Sequence, residues 1–112
     1  MTQQNFITHD NQKFSDIDQF PGASWCVLSQ PVPEGSIHRL KLKEGTVIPA
    51  HSHPVDEFIF VIAGTIETGD TICEAGTFWK TPAGVNQGPH VALSDVELMT
   101  IRLGPMGEFA NA

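Results

Sequence analysis

The chain has 112 residues, near the common size of one domain, and 40% of them are hydrophobic, so it can bury a core and is not disordered by composition. Thirteen Asp+Glu against six Lys+Arg give a net charge of −7, which argues against nucleic-acid and anionic-membrane partners, since both recruit clustered basic residues. No apolar run approaches the ~20 residues needed to span a bilayer. The cationic cluster Arg39, Lys41 and Lys43 alternates along one segment and reads as a solvated strand face. Cys26 and Cys73 lie far apart with no metal-type spacing, and no signal peptide points to an oxidising compartment. The expectation is free, buried thiols and a cytoplasmic setting.

Residues 1–22 are polar and irregular, with Phe14, Ile17 and Phe20 spaced so as to form one helical turn or a docking arm, closed by Pro21-Gly22. Such an arm stays ordered only by packing on the domain or on a second subunit. From Ser24 the chain becomes short strands cut by Gly and Pro: Trp25–Leu28, Ile37–Leu42, Val47–His53 broken at Pro49, then Glu57–Ile62. His38, Leu40 and Leu42 share one face of their strand and point to the interior. The run FIFVI after Glu57 suits a strand buried on both faces. Thr65–Thr68 and Thr71–Glu74 flank Gly69-Asp70, a two-residue hairpin signal. Gly76–Lys80, Val91–Leu93 and Val96–Leu103 complete the set, and 105–112 reads as a loose tail. Many short strands with Gly/Pro turns and no long helix predict a single all-β domain over 23–104, a sandwich or barrel.

The chemistry gathers in Gly45 to Gly64. His51 and His53 sit at i and i+2, so along a strand both imidazoles project to one face. Glu57 follows beyond a Pro-Val-Asp bend and opens the next strand, expected to pair antiparallel beside them. Two imidazoles and a carboxylate on one side of a metal form a facial triad with open positions, suited to Fe(II) and also to Mn, Ni, Co or Zn.

The spacing Gly45-x5-His51-x-His53-x3-Glu57-x6-Gly64 resembles the first motif of the cupin superfamily, and Gly76-x5-Pro82-x-Gly84 resembles the start of its second. The resemblance covers most of Ser24 to Leu103. It implies a double-stranded β-helix, the jelly-roll barrel of cupins. The segments HSHPVDEFIFVIAGTIE and GTFWKTPAGV are most similar to small single-domain cupins, including anti-sigma-factor cupin domains and the diketone and hydroxyketone dioxygenases. This implies one divalent metal on His51, His53 and Glu57, a small oxygenated ligand and a homodimer. The second motif departs where a histidine ligand belongs: that position is Gln87. Either the Gln87 amide oxygen is a weak fourth ligand or holds a metal-bound water, or the Gly88-Pro89 kink swings His90 into the site. Strand parity places 87 inward and 90 outward, which favours Gln87.

Three further residues are candidates for catalytic or supporting roles. His38 on the interior face reads as a hydrogen-bonded partner of the site. His90 is the alternative to Gln87. Arg102 shares a face with Leu98 and Thr100; if that face is internal, its cation needs a partner, and a substrate carboxylate is one. The functional expectation is a metal-dependent enzyme on a small oxygenated molecule, a dioxygenase first and an isomerase or lyase next. The rival is a metal- or ligand-sensing module without turnover.

Overall fold

A computed structural model describes residues 3–107. Ten strands follow a short 3-10 turn at His9–Asn11: β1 (Ser15–Asp16), β2 (Ala23–Ser29), β3 (Ser36–Leu42), β4 (Val47–Ile48), β5 (Glu57–Ala63), β6 (Thr65–Thr68), β7 (Thr71–Glu74), β8 (Phe78–Thr81), β9 (His90–Ala92) and β10 (Val96–Arg102). They form two antiparallel sheets, one of six strands ordered β1-β2-β3-β10-β5-β8 and one of four ordered β4-β9-β6-β7. The core lies between them. Leu42, Val61 and Leu98 from the large sheet meet Ile48, Ile66 and Ala92 from the small one, and all are buried. The two faces of an amphipathic pair of sheets can leave water only by packing together, and this is the jelly-roll solution.

Alternation in the sequence sets which side chains reach the interior. Along β10 every second residue is buried, Val96, Leu98, Thr100 and Arg102. Its neighbours are β3, with Thr100 opposite His38, and β5, with Arg102 opposite Glu57. A strand between two others in the middle of the large sheet therefore carries a row of polar groups beside the histidine motif.

Several expectations need correcting. Glu57 opens a strand that pairs with β10 and β8, not with the histidine segment. That segment crosses to the small sheet, where β4 pairs with β9 and His51 bridges Gln87. The FIFVI run is buried on one face only: Ile59 and Val61 point in, while Phe60 and Ile62 are 44% and 41% exposed. The Phe14–Phe20 segment is not helical. It contributes β1 to the sheet edge and then a single turn in which Phe20 N–H donates to the Ile17 carbonyl. It docks on its own domain, with Phe20 in the core and Ile17 packed against it. Phe14 lies beneath Arg39 and Lys41, whose cationic groups sit 5.0 and 4.2 Å from its ring centroid. The tail is docked as far as it is described, through Met106; residues 108–112 of that expected segment lie outside the described residues. Cys26 and Cys73 are free and buried.

Candidate metal centre

His51, His53, Glu57, His38, His90 and Arg102 all line one cavity of about 330 Å³ between the sheets. Its remaining wall is mainly apolar, including Leu40, Ile59, Ile66 and Leu98, with Ile17 and Phe20 from the N-terminal arm and Met106 from the C-terminal segment.

Each histidine of the motif is oriented through its Nδ1. His51 Nδ1 lies 2.8 Å from the Pro49 carbonyl, and His53 Nδ1 lies 2.8 Å from the Met106 carbonyl. A carbonyl can only accept, so both Nδ1 atoms carry a proton, and in the neutral form of either ring the lone pair is on Nε2. This is the tautomer a metal needs at Nε2, fixed by a backbone acceptor on the far side of the ring. The rings are 4.8 Å apart between centroids. Burial lowers the His51 pKa, with the Pro49 carbonyl opposing, so the ring stays neutral.

His53 Nε2 faces Glu57 Oε2 at 3.4 Å. With Nδ1 holding the ring's proton, this pair sets a nitrogen lone pair against a carboxylate oxygen. A cation or a second proton between them resolves that opposition, which is the observation that makes the donor set fit a metal. As the side chains stand, no three His, Cys, Asp or Glu groups among the described residues converge on one ion. The chemistry of the donors fits a metal, while their present rotamers do not converge on one point.

Gln87 is buried in the same place, tied to His51 by two backbone hydrogen bonds of 2.9 and 2.7 Å. Its Nε2 donates to Glu57 Oε1 at 3.0 Å and its Oε1 accepts from Thr81 Oγ1 at 3.2 Å. In this arrangement the amide nitrogen, not the oxygen, faces the carboxylate. Gln87 holds Glu57 in position, and ligation through its oxygen would require the amide to turn over.

The expected outward placement of His90 is overturned. Gly88, at φ +92, and the cis Gly88-Pro89 bond break the alternation, and both Gln87 and His90 point inward. His90 lies edge-on to His51 at 5.6 Å and stacks on Trp79 at 5.9 Å, with Nδ1 2.7 Å from Thr68 Oγ1. Burial, then His51 and His53, push its pKa down to about 4. His38, as expected, faces the interior. Its Nδ1 is 2.8 Å from Ser36 Oγ, and burial, followed by Arg102 and His53, lowers its pKa to about 4. Burial thus keeps His38 and His90 neutral at ordinary pH.

Arg102 is buried, which resolves the alternative left open by the sequence. Burial lowers its pKa and the nearby Glu57 charge opposes that shift. Its Nε donates to the Gly104 carbonyl at 3.1 Å. Sequence reasoning offers Trp79 only as aromatic wall, and does not single out Thr81, Met106 or the buried Thr100 as site residues. Thr100 has a signal, its shared parity with Leu98 and Arg102. The Met106 contact is through backbone and leaves no trace in residue type.

A jelly roll with a histidine-carboxylate motif between its sheets is the cupin architecture, and comparison bears this out. The sequence pattern of the ChrR cupin-like domain matches residues 2–107, so the chain belongs to that family of cupins. Among solved structures, an acetylacetone dioxygenase from Acinetobacter johnsonii superposes with a TM-score of 0.79 at 16% identity, over 99% of this chain and 80% of the other. KdgF from Halomonas sp. superposes with a TM-score of 0.75 at 20% identity, over 88% and 94%. The anti-sigma ChrR of Rhodobacter sphaeroides, solved in complex with SigE, is also similar, with a TM-score of 0.71 at 16% identity, and this chain spans half of that structure's chain. At these identities the likeness is one of fold. Among curated proteins none matches this chain in sequence. No helix among the described residues is long and apolar enough to cross a membrane.

Proposed function

We propose that the chain is a metal-dependent cupin enzyme acting on a small oxygenated molecule, with dioxygenase chemistry of the diketone or hydroxyketone type. The observation that carries this is the pair of carbonyl-fixed rings at His51 and His53, which leave Nε2 as the ligating atom of each, with His53 Nε2 3.4 Å from the Glu57 carboxylate, in a mainly apolar cavity large enough for a small ligand. His51, His53 and Glu57 would hold one divalent ion. Gln87 would keep Glu57 in place, or offer its oxygen as a further donor with the amide reversed. A bound ion of this kind supplies Lewis-acid polarisation and, if iron, oxygen activation. The chain's own residues do the rest. The apolar wall excludes water and the N-terminal arm caps one side. His38 and His90, neutral and buried, can each accept or give a proton at Nε2 while their Nδ1 atoms are held by hydroxyls.

The likeness to an acetylacetone dioxygenase over nearly the whole chain supports the enzyme reading. The likeness to anti-sigma ChrR supports a second one, a metal- or ligand-sensing module without turnover. A homodimer covering the exposed Phe60, Ile62 and Phe78 belongs to either, as does a reducing cytoplasm in which Cys26 and Cys73 stay free.

Elemental analysis of the untagged protein together with oxygen uptake on a panel of diketones decides between them. Bound iron with uptake supports the enzyme. Tightly bound zinc with no turnover supports the sensor. Absence of metal from protein purified without chelators, and failure to take it up on reconstitution, sinks both.

A further inference from the structure

Besides the Trp79 indole N–H, which also has no hydrogen-bond partner among the described residues, two buried groups of β10 in the cavity are unaccounted for by a metal on the histidine motif. Thr100, 2% exposed, has an Oγ1 with no hydrogen-bond partner among the described residues. Arg102, 7% exposed, spends its Nε on the Gly104 carbonyl, and no further hydrogen bond or ion pair ties down its Nη atoms among the described residues. Glu57 stands opposite Arg102 in the register yet is not its ion-pair partner: Oε1 takes Gln87 and Oε2 faces His53. A buried guanidinium whose Glu57 counter-charge is near but not in ion-pair contact, and a buried hydroxyl without a hydrogen-bond partner, are both costly, and the same group can relieve both.

The two sit at i and i+2 on the inward face of β10, roughly 7 Å apart along the strand. Both line the cavity, and both are donors. Across from Thr100 stand His38 and Ile59, and across from Arg102 stand Ser36 and Glu57, while Leu98 and Leu40 continue the row as apolar wall; Arg102 is thus the cationic group of this end of the cavity, with His38 neutral beside it. The chain's net charge of −7 opposes the approach of an anion from bulk, which leaves the attraction to this local pair.

We infer that the small ligand of this cavity carries a carboxylate, held by the Arg102 guanidinium and the Thr100 hydroxyl, with its other oxygens turned toward His51, His53 and Glu57. The inference rests on the small-molecule reading above and narrows it from neutral diketones to oxygenated acids. The guanidinium fork supplies charge and direction, and the Thr100 hydroxyl supplies the second, short-range donor.

The test uses a matched pair of probes, acetoacetate and pentane-2,4-dione, which differ in that one end is a carboxylate or an acetyl group. Both are titrated calorimetrically into the zinc-loaded full chain and into the same protein stripped with chelator. The expected result is at least about tenfold tighter binding of acetoacetate in both forms, as a charged hydrogen-bonded contact implies. Arg102→Gln should abolish that preference, and Arg102→Lys should keep part of it. Thr100→Val should weaken acetoacetate several-fold and leave the dione unchanged, which separates the two donors even if the arginine variants fold poorly. Equal binding of the two probes, binding of neither, or a preference that survives Arg102→Gln overturns the inference. Failure to load zinc while the acetoacetate preference stands would instead sink the metal reading and leave this one in place.

Discussion

Gln87 Nε2 donates to Glu57 Oε1 across 3.0 Å, both side chains buried, and Thr81 anchors the other end of the same amide. A carboxylate this well buried needs such a donor. Gln87→Ala should therefore destabilise the metal-free protein by about 1–3 kcal/mol in urea unfolding, the cost of leaving a buried acceptor unsatisfied. A change within the error of the measurement would mean that Glu57 is solvated by other means and that Gln87 does not position it.

The glycines that bracket the motif differ in what a side chain would meet. Gly45 has φ +87 with nothing near a built Cβ, whereas Gly64, at φ +83, would place its Cβ 2.0 Å from the Asp95 carbonyl oxygen. Gly45→Ala should cost roughly 1–2 kcal/mol, the left-handed penalty alone. Gly64→Ala should exceed it by about 2 kcal/mol or more, because backbone must move as well. Urea midpoints of the two variants, measured side by side, check the order; equal midpoints would contradict it.

His38 and His90 are both held near pKa 4 by burial, against the ordinary histidine value of 6.5. Between those values the unfolded chain binds protons that the folded one refuses, so stability falls as pH drops from 7 toward 4. Each group contributes at most about 3 kcal/mol to that loss. Chelator-treated protein unfolded in urea at stepped pH should show this slope, and His38→Gln should reduce it. A flat profile over that window would show that these rings titrate normally.

Much of this is legible in the sequence. Gly/Pro punctuation and alternation locate the strands, including both partners of the Gly69-Asp70 hairpin, and the His-x-His spacing puts two imidazoles on one side. Parity along β10 groups Leu98, Thr100 and Arg102, though it cannot say which face is internal. What escapes the sequence is long-range. Parity does not survive Gly88 at φ +92: the kink at Gly88-Pro89 offers an inward His90 as an alternative to Gln87, but nothing local says that both turn inward together. Strand partners are lost too, because nothing local tells Glu57 that its neighbours are β8 and β10. FIFVI reads the same whether one face is covered or two, since Phe60 and Ile62 carry no mark of exposure.

The C-terminal segment supplies a further prediction. The Met106 carbonyl accepts from His53, the Gly104 carbonyl accepts from Arg102, and Gly104 and Gly107 lie where any Cβ would press on Val55 and Pro54 of the motif loop. Ending the chain after Leu103 should weaken zinc binding by about tenfold or more in competition with a chromophoric chelator, the usual effect of removing a ligand's supporting contact. Met106→Ala, which keeps the carbonyl, should change it little. Equal losses in the two variants would show that the side chain, not the backbone, is what matters.

That contact joins residues 53 positions apart. During synthesis, His51, His53 and Glu57 leave the ribosome long before Met106 does. Until then the Met106 carbonyl is not in place to help choose the His53 tautomer. The proposed metal site would therefore be complete only after β10 has been made and the segment beyond it has folded back on the motif.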